Sequence, residues 1–553
     1  MAGGPASPYV QQSSLQPVDV HAELPAPETK SNKRKLIIIG VALVVVAAVV
    51  GTTVGVLVTK NSTSSQASNS NNNNDNNNNG PTTAPTGTTR PGATTTTGGT
   101  VAPGDETPTP TSSNGKPIVA VNPTSDPETQ TTAVTMLAIG DWGSTTGKES
   151  GNPGSCCVLY EGTNKLNTAL PRYKVDYWSQ KHVATILAQS AKELAPVRII
   201  GHGDNIYWNG LGSLDAAYRF QSTFEDMYNQ PELAGIKWVN VAGNHDIGGS
   251  NFICGEKDNA FVECSSTAEM LKYLNERFDL QKNYKSPNGD RWLMKDHYYV
   301  ERVTKNGVSV DIFNVDTNYA DSHGARQVCC QCYGYSYKYG YDESKCNNVN
   351  AGDKACAGGD VGMYNTCMQT IADWADDSLT QAKRDIPAST ADFKIINTHY
   401  SPQYHMSPPK MQAWYDLCKS TNVQAWFNGH THGFNHDIAT WGTHFFENGG
   451  GGGIVTETSS GVTSETVNNK WIAGGNPYGF MELSFSKDWL KVQFVTFDNA
   501  WVFGGTDYAA TKQGGLARGH CWFIPSANYT ANGALGVECK SSIDTPLGAP
   551  IRA

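Results

Sequence analysis

Charge is scarce in this sequence. Asp, Glu, Lys and Arg make up 17% of its 553 residues, and basic residues are the minority, 41 against 51 acidic, for a formal net charge of −10. That balance argues against a nucleic-acid binder, which concentrates basic residues on one face, so no nucleic-acid partner is expected. Residues 36–58 carry no charge at all. At ~1.5 Å of rise per residue, 23 uncharged positions span a hydrocarbon core of ~30 Å, and the run exceeds the ~7–15 residues of a cleaved leader's apolar core. Lys30, Lys33, Arg34 and Lys35 precede it and Lys60 follows, which places the N-terminus in the cytoplasm. The expected topology is a cytoplasmic tail over 1–35, a transmembrane signal-anchor helix over 36–58, and an extracellular or lumenal remainder: a single-pass type II membrane protein.

Residues 59–132 have almost none of the apolar side chains that build a core. They are mostly Asn, Ser, Thr, Gly and Pro, with Asn71 to Asn74 and Asn76 to Asn79 around one aspartate. Such a segment stays solvated, and is expected to be a disordered stalk. Asn61-Ser62-Thr63 and Asn528-Tyr529-Thr530 are N-glycosylation sequons on the outer side. Cysteine, by contrast, is plentiful. Six of the 13 (Cys329, Cys330, Cys332, Cys346, Cys356 and Cys367) fall within 39 residues, which suits disulfides in an oxidising compartment.

From Ala133 the texture changes to short runs of branched and aromatic residues between longer helical patterns, an α/β alternation. Eight strands are expected, at 134–139, 197–200, 237–241, 310–315, 393–397, 423–427, 479–485 and 490–497. Five polar clusters follow five of them: Gly140-Asp141-Trp142-Gly143, Gly203-Asp204-Asn205-Ile206-Tyr207, Gly243-Asn244-His245-Asp246, Thr398-His399-Tyr400 and Gly429-His430-Thr431-His432. Ligands in α/β proteins bind beyond the carboxyl ends of strands, and glycine lets backbone approach a crowded centre. Two aspartates, an asparagine, three histidines and a tyrosine exceed the needs of one tetrahedral zinc. They suit two metal ions ~3.5–4 Å apart that share a carboxylate and hold a hydroxide between them. The chemistry implied is hydrolysis of a phosphate ester.

On these motifs, from about Val134 to Phe497, the chain resembles the calcineurin-like metallophosphoesterase superfamily and, within it, purple acid phosphatases of the small, tartrate-resistant type. The specific mark is Asp204-Asn205-Ile206-Tyr207, with tyrosine three residues after the aspartate. The Asp-x-His of calcineurin-like protein phosphatases is absent from Asp141-Trp142-Gly143, and no arginine lies between Gly203 and Gly210. The resemblance implies a four-layer α/β/β/α sandwich, with a catalytic domain over 133–505 and a C-terminal extension over 506–553. It implies a binuclear centre: Asp141, Tyr207 and His432 on Fe(III), Asn244, His399 and His430 on a divalent Fe, Zn or Mn, and Asp204 bridging. Hard anionic donors on one side and neutral donors on the other suit that mixed valence. The implied activity is acid phosphatase, a metal-bridging hydroxide attacking a phosphate monoester with an acid optimum. Asn244 and His245 would contact substrate, and His245 and His405 would serve as catalytic histidines.

Asp246 is expected to orient its loop, while His202 and His436 are left open between surface and supporting positions. The Cys-rich stretch at about 322–368 reads as a disulfide-stapled insertion near the site. Two other functions remain open on these residues: a phosphodiesterase or nucleotidase using the same centre, and an inactive cell-surface binding protein.

Overall fold

The protein, seen in a computed structural model, is described over residues 122–143, 158–161, 165–171, 178–256, 262–454, 456–504, 509–529, 534–543 and 547. The anchor expected at 36–58 and the stalk as far as residue 121 lie outside these. Among the described residues no helix is long and apolar enough to cross a membrane.

The apolar runs become strands. In chain order these are β1 (Val134–Ile139), β2 (Arg198–Gly201), β3 (Lys237–Asn240), β4 (Trp292–Leu293), β5 (Tyr298–Lys305), β6 (Val308–Val315) and β7 (Phe393–Asn397). There follow β8 (Ala425–Asn428), β9 (Phe434–Ala439), β10 (His444–Asn448), β11 (Val467–Ile472), β12 (Phe480–Phe485), β13 (Trp489–Phe497), β14 (Leu516–Pro525) and β15 (Val537–Glu538). They form two large sheets, ordered β15-β14-β13-β12-β1-β2-β3-β4 and β11-β9-β10-β8-β7-β6-β5. Strands β1 to β4 run parallel, as do β6, β7, β8 and β10. Every expected strand lies on an observed one. Residues 516–525, read as part of an extension, instead pair along β13 and widen the first sheet, and Cys521–Cys539 ties that strand to the segment after it.

Period-two alternation sorts side chains between layers. From β1, Val134, Met136 and Ala138 meet Ile395 of β7 and Phe427 of β8 between the sheets, while Leu137 and Ile139 face the opposite way. The outward face is covered by helices α1 (Ser179–Leu194), through Val183 and Ile186, and α2 (Thr267–Lys282), through Met270 and Leu274. The Cys-rich stretch forms α3 (Ala325–Cys330) and α4 (Cys332–Tyr339), stapled by Cys329–Cys367, Cys330–Cys356 and Cys332–Cys346. Helices α5 (Val361–Ala388) and α6 (Pro408–Thr421) cover the second sheet, with Ile386 and Trp414 packed on Ile396 and Trp426. The architecture is α/β/β/α.

Polar groups between the sheets are joined to one another. His436 of β9 lies with Nδ1 2.9 Å from His520 Nε2 and Nε2 2.9 Å from His444 Nδ1, so three histidines bridge the two sheets. His436, open between surface and support on sequence, is fully buried. Burial, then His444, His520 and Lys470, holds His436 well below the ordinary histidine value, and burial, then His520 and Lys470, holds His444 at about 3. The unfolded chain takes up these protons near pH 6.5 and the folded one only far lower. This contribution to stability is therefore complete above about pH 6.5 and lost as the pH falls toward 3, by up to ~1.4 kcal/mol per pH unit for each histidine. Urea midpoints at pH 7.5 and 4.5 test this: the midpoint is expected to drop, and to drop less in His444→Phe, whereas an identical drop in the variant would remove the histidine bridge as a cause.

Candidate metal centre

Parallel pairing brings the carboxyl ends of β1, β2 and β3 to one edge of the first sheet and those of β7 and β8 to one edge of the second. All five motifs occupy the loops that leave these ends. Asp141 follows β1, Asp204 and Tyr207 follow β2, Asn244 follows β3, His399 follows β7, and His430 and His432 lie between β8 and β9. Asp141, Asp204 and His430 hold left-handed backbone, with φ of 54°, 50° and 71°. That region is uncommon outside glycine, and strain of this kind concentrates at functional sites. The close approach also requires glycine at two positions: a Cβ on Gly243 would collide with the Asp204 carboxylate, and one on Gly429 with that of Asp141.

The loops are individually anchored. Trp142 is buried among Trp238, Tyr228, Phe224 and Trp292, at ring separations of 5.1 to 6.1 Å. Asp246 accepts from the backbone N–H groups of Asn205, Ile206 and Gly243 at 2.8 to 3.1 Å, so it joins the Asp204 loop to the Asn244 loop. His202 is also buried: its Nδ1 lies 2.7 Å from Asn397 Oδ1, its Nε2 3.0 Å from Asn448 Nδ2, and its carbonyl 2.8 Å from His399 Nδ1.

That last contact fixes the chemistry of His399. With Nδ1–H donated to a carbonyl, Nε2 carries the lone pair, yet it faces Asn244 Oδ1 at 3.1 Å and His430 Nδ1 at 3.3 Å. His430 Nδ1 is itself 3.1 Å from Asn244 Oδ1. Three potential ligand atoms thus crowd one point, an arrangement a cation relieves. On the other side Tyr207 Oη lies 3.1 Å from Asp141 Oδ1 and 3.4 Å from His432 Nε2. Asp141, Asp204 and His432 offer donor atoms within 4.8 Å of one another. Asp204 lies between the halves, 3.5 Å from His399 Nε2, with Oδ1 accepting the His245 N–H at 3.0 Å and Oδ2 buried with no hydrogen-bond partner among the described residues.

Charge tells the same story. Burial, then Asp204, pushes the Asp141 carboxyl well above its ordinary value, and burial, then Asp141 and Asp204, does so for the Tyr207 phenol. Burial is the leading cause that keeps His399 below the ordinary value, His430 well below it and His432 at about 3. Each shift favours the neutral imidazole, the form that ligates metal. The donor set fits two cations.

Around it stand histidines placed differently. His245 Nδ1 is 2.6 Å from the Trp208 carbonyl, its ring is 4.6 Å from that of Tyr207, and it is partly exposed. The His405 ring lies 4.7 Å from that of His430, with Nδ1 accepting from the Ser401 N–H at 3.3 Å. The seven expected donors and both expected catalytic histidines therefore come together in one place. Two neighbours were not anticipated. Tyr400 Oη lies 3.1 Å from Asn244 Oδ1 and 2.8 Å from the His323 carbonyl, with one proton to donate between them, and its position next to His399 was the available signal. His323, 5.9 Å from His430 between ring centres, stands in no motif.

An α/β/β/α sandwich with two acidic, four neutral and one phenolic donor at aligned strand ends defines a hydrolase built on a metal centre. The chain belongs to the calcineurin-like phosphoesterase family, whose model matches residues 134–434. It is similar to tartrate-resistant acid phosphatase type 5 of Sus scrofa, 29% identical over 136 residues, a match covering 24% of this chain and about a third (32%) of that enzyme. Purple acid phosphatase 4 of Arabidopsis thaliana is 23% identical over 323 residues, 57% of this chain and 75% of the relative. Among solved structures, GAP50, the anchor in the inner membrane complex of Plasmodium, is 15% identical with a TM-score of 0.40, covering 69% of this chain and 89% of that one.

Proposed function

We propose that this protein is an acid phosphatase of the purple type, hydrolysing phosphate monoesters. The observation that carries the reading is the division of the site into two donor sets that share Asp204: Tyr207, Asp141 and His432 on one side, and Asn244, His399 and His430 on the other. The first set holds a carboxylate and a phenol, hard anionic donors suited to Fe(III). The second is neutral and suits divalent Fe, Zn or Mn. The chemistry such a pair supplies is an acidified water nucleophile and neutralisation of phosphoryl charge.

The chain's own residues supply the rest. Asn244 and His245 would contact the ester. His245 Nδ1 is occupied by the Trp208 carbonyl, so the other ring nitrogen is the one directed to chemistry, able to hold a proton for the leaving oxygen. His405, packed on His430, offers a second such group. Substitution of His245 by alanine is expected to preserve both metals while lowering kcat by ~10²–10⁴-fold, the usual worth of general-acid help. Loss of metal alongside activity would make His245 a support for Asp204 rather than a proton carrier.

The reading itself is tested by metal analysis and an absorption spectrum of the purified protein, with turnover compared on a monoester and a diester. Iron with monoester preference supports it. Faster diester or nucleotide hydrolysis at the same centre would move the protein to the phosphodiesterase class, and a metal-free, inactive chain would leave a binding role.

A further inference from the structure

We propose that His323 is a substrate-binding residue, carried over the Asn244–His399–His430 side of the site by the Cys-rich insertion and hydrogen-bonding a phosphate oxygen of the ester. The inference rests on the phosphoesterase reading above and adds to it a residue from outside all five motifs.

Placement comes first. After β6 the chain is pinned by Thr317 Oγ1, 2.6 Å from Thr398 Oγ1, and by Asn318 Nδ2, which donates to the Ala242 carbonyl at 3.1 Å. It then turns back over the site. The N–H groups of Asp321 and Ser322 donate to the His405 carbonyl at 2.8 and 3.1 Å, and the His323 carbonyl accepts from Tyr400 Oη at 2.8 Å. His323 itself adopts φ of 55°, the left-handed region shared by Asp141, Asp204 and His430. Two chain segments that hold proposed ligands or their neighbours thus fix where this histidine sits.

The ring is what a binding group requires. The residue is partly exposed, and among the described residues its only hydrogen bond is the one its carbonyl accepts, which leaves both ring nitrogens unpaired. A histidine serving only to pack is covered and paired, as His202 is. A neutral imidazole always presents one N–H, and a phosphate oxygen is the acceptor this site is built to receive. The insertion behind it is braced. Three disulfides staple it, Gln331 Oε1 accepts the Ile253 N–H at 2.9 Å, and Gln327 accepts from Ser250 Oγ at 3.2 Å. These contacts join the insertion to the loop that follows Asn244 and His245, so the donor is held on a rigid support.

The experiment uses the metal-loaded full-length protein, as wild type, His323→Ala and His323→Gln. Inorganic phosphate affinity is measured by titration calorimetry and KM and kcat on a phosphate monoester, alongside metal content and melting temperature. A hydrogen bond to a charged group is worth roughly 10–100-fold, so in the alanine variant the phosphate Kd and KM are expected to rise together by ~10-fold or more, with kcat less affected. Metal content and melting temperature stay at wild-type values. Glutamine, which keeps an N–H donor, recovers most of the loss. Unchanged phosphate affinity and KM in His323→Ala would overturn the proposal, as would metal loss or destabilisation in both variants, which would make His323 structural. A wild type that takes up metal and binds phosphate keeps the parent reading standing in either case. One that does neither removes the parent reading and this inference with it.

Discussion

Asp204→Asn is expected to empty the metal centre and abolish turnover in the same step. Asp204 is fully buried, and its carboxylate lies within ligand distance of both donor sets, beside His399 on one side and grouped with Asp141 and His432 on the other. Burial works against its charge, yet His399 and His245 hold it below its ordinary value. Asparagine keeps the size, but it replaces a shared anionic oxygen with an amide that aims N–H at the place a cation would take. Support residues around metal ligands are worth ~10–100-fold. A shared ligand is expected to cost more, with metal content falling below one ion per chain. Metal analysis and steady-state assays on one preparation check this. A variant that kept two metals and near-normal turnover would take Asp204 out of the centre.

The donors of this centre were legible because each sits directly after an apolar run, where strand and turn declare themselves locally. Tyr298–Lys305 and Val308–Val315 form a hairpin across Asn306-Gly307, a turn signal beside a first strand whose charged residues disguise it. Strands β9 and β10 were harder. They are buried from end to end, yet their sequences, FNHDIA and HFFEN, carry histidine and acid where a core reads as apolar. Some of those polar groups meet residues far away in the chain: His436 meets His520, and Asp437 accepts from Tyr404 at 2.6 Å. No local pattern announces a partner 84 residues distant. Strand β14 follows the same logic, since Arg518 crosses to Glu482 of β12 at 2.7 Å. His323 is the extreme case, because its position depends on Tyr400 and His405, distant in the chain, as well as on Thr317 and Asn318 beside it.

Tyr207 separates a purple phosphatase from the wider family, and its replacement by phenylalanine is expected to remove a colour. The hydroxyl is buried, 3.1 Å from Asp141 Oδ1 and 3.4 Å from His432 Nε2. Its proton is held well above the ordinary phenol range by burial and by the two aspartates, so ionisation there demands a strong Lewis acid, and a trivalent ion is the fitting one. A ferric phenolate absorbs visible light by electron transfer from ring to metal, giving a purple or pink protein. Phenylalanine keeps the ring volume, and volume-conserving exchanges in packed sites usually cost under ~1.5 kcal/mol. The backbone is held separately, since the buried Arg219 guanidinium donates to the Tyr207 carbonyl at 2.5 Å. The fold is therefore expected to survive, the visible band to vanish, and ferric iron to become easier to reduce. If Tyr207 is only a packed aromatic donating to Asp141, the wild type is colourless and the substitution changes little. A colourless, iron-free and fully active wild type would leave the chain a calcineurin-like phosphoesterase and end the purple assignment.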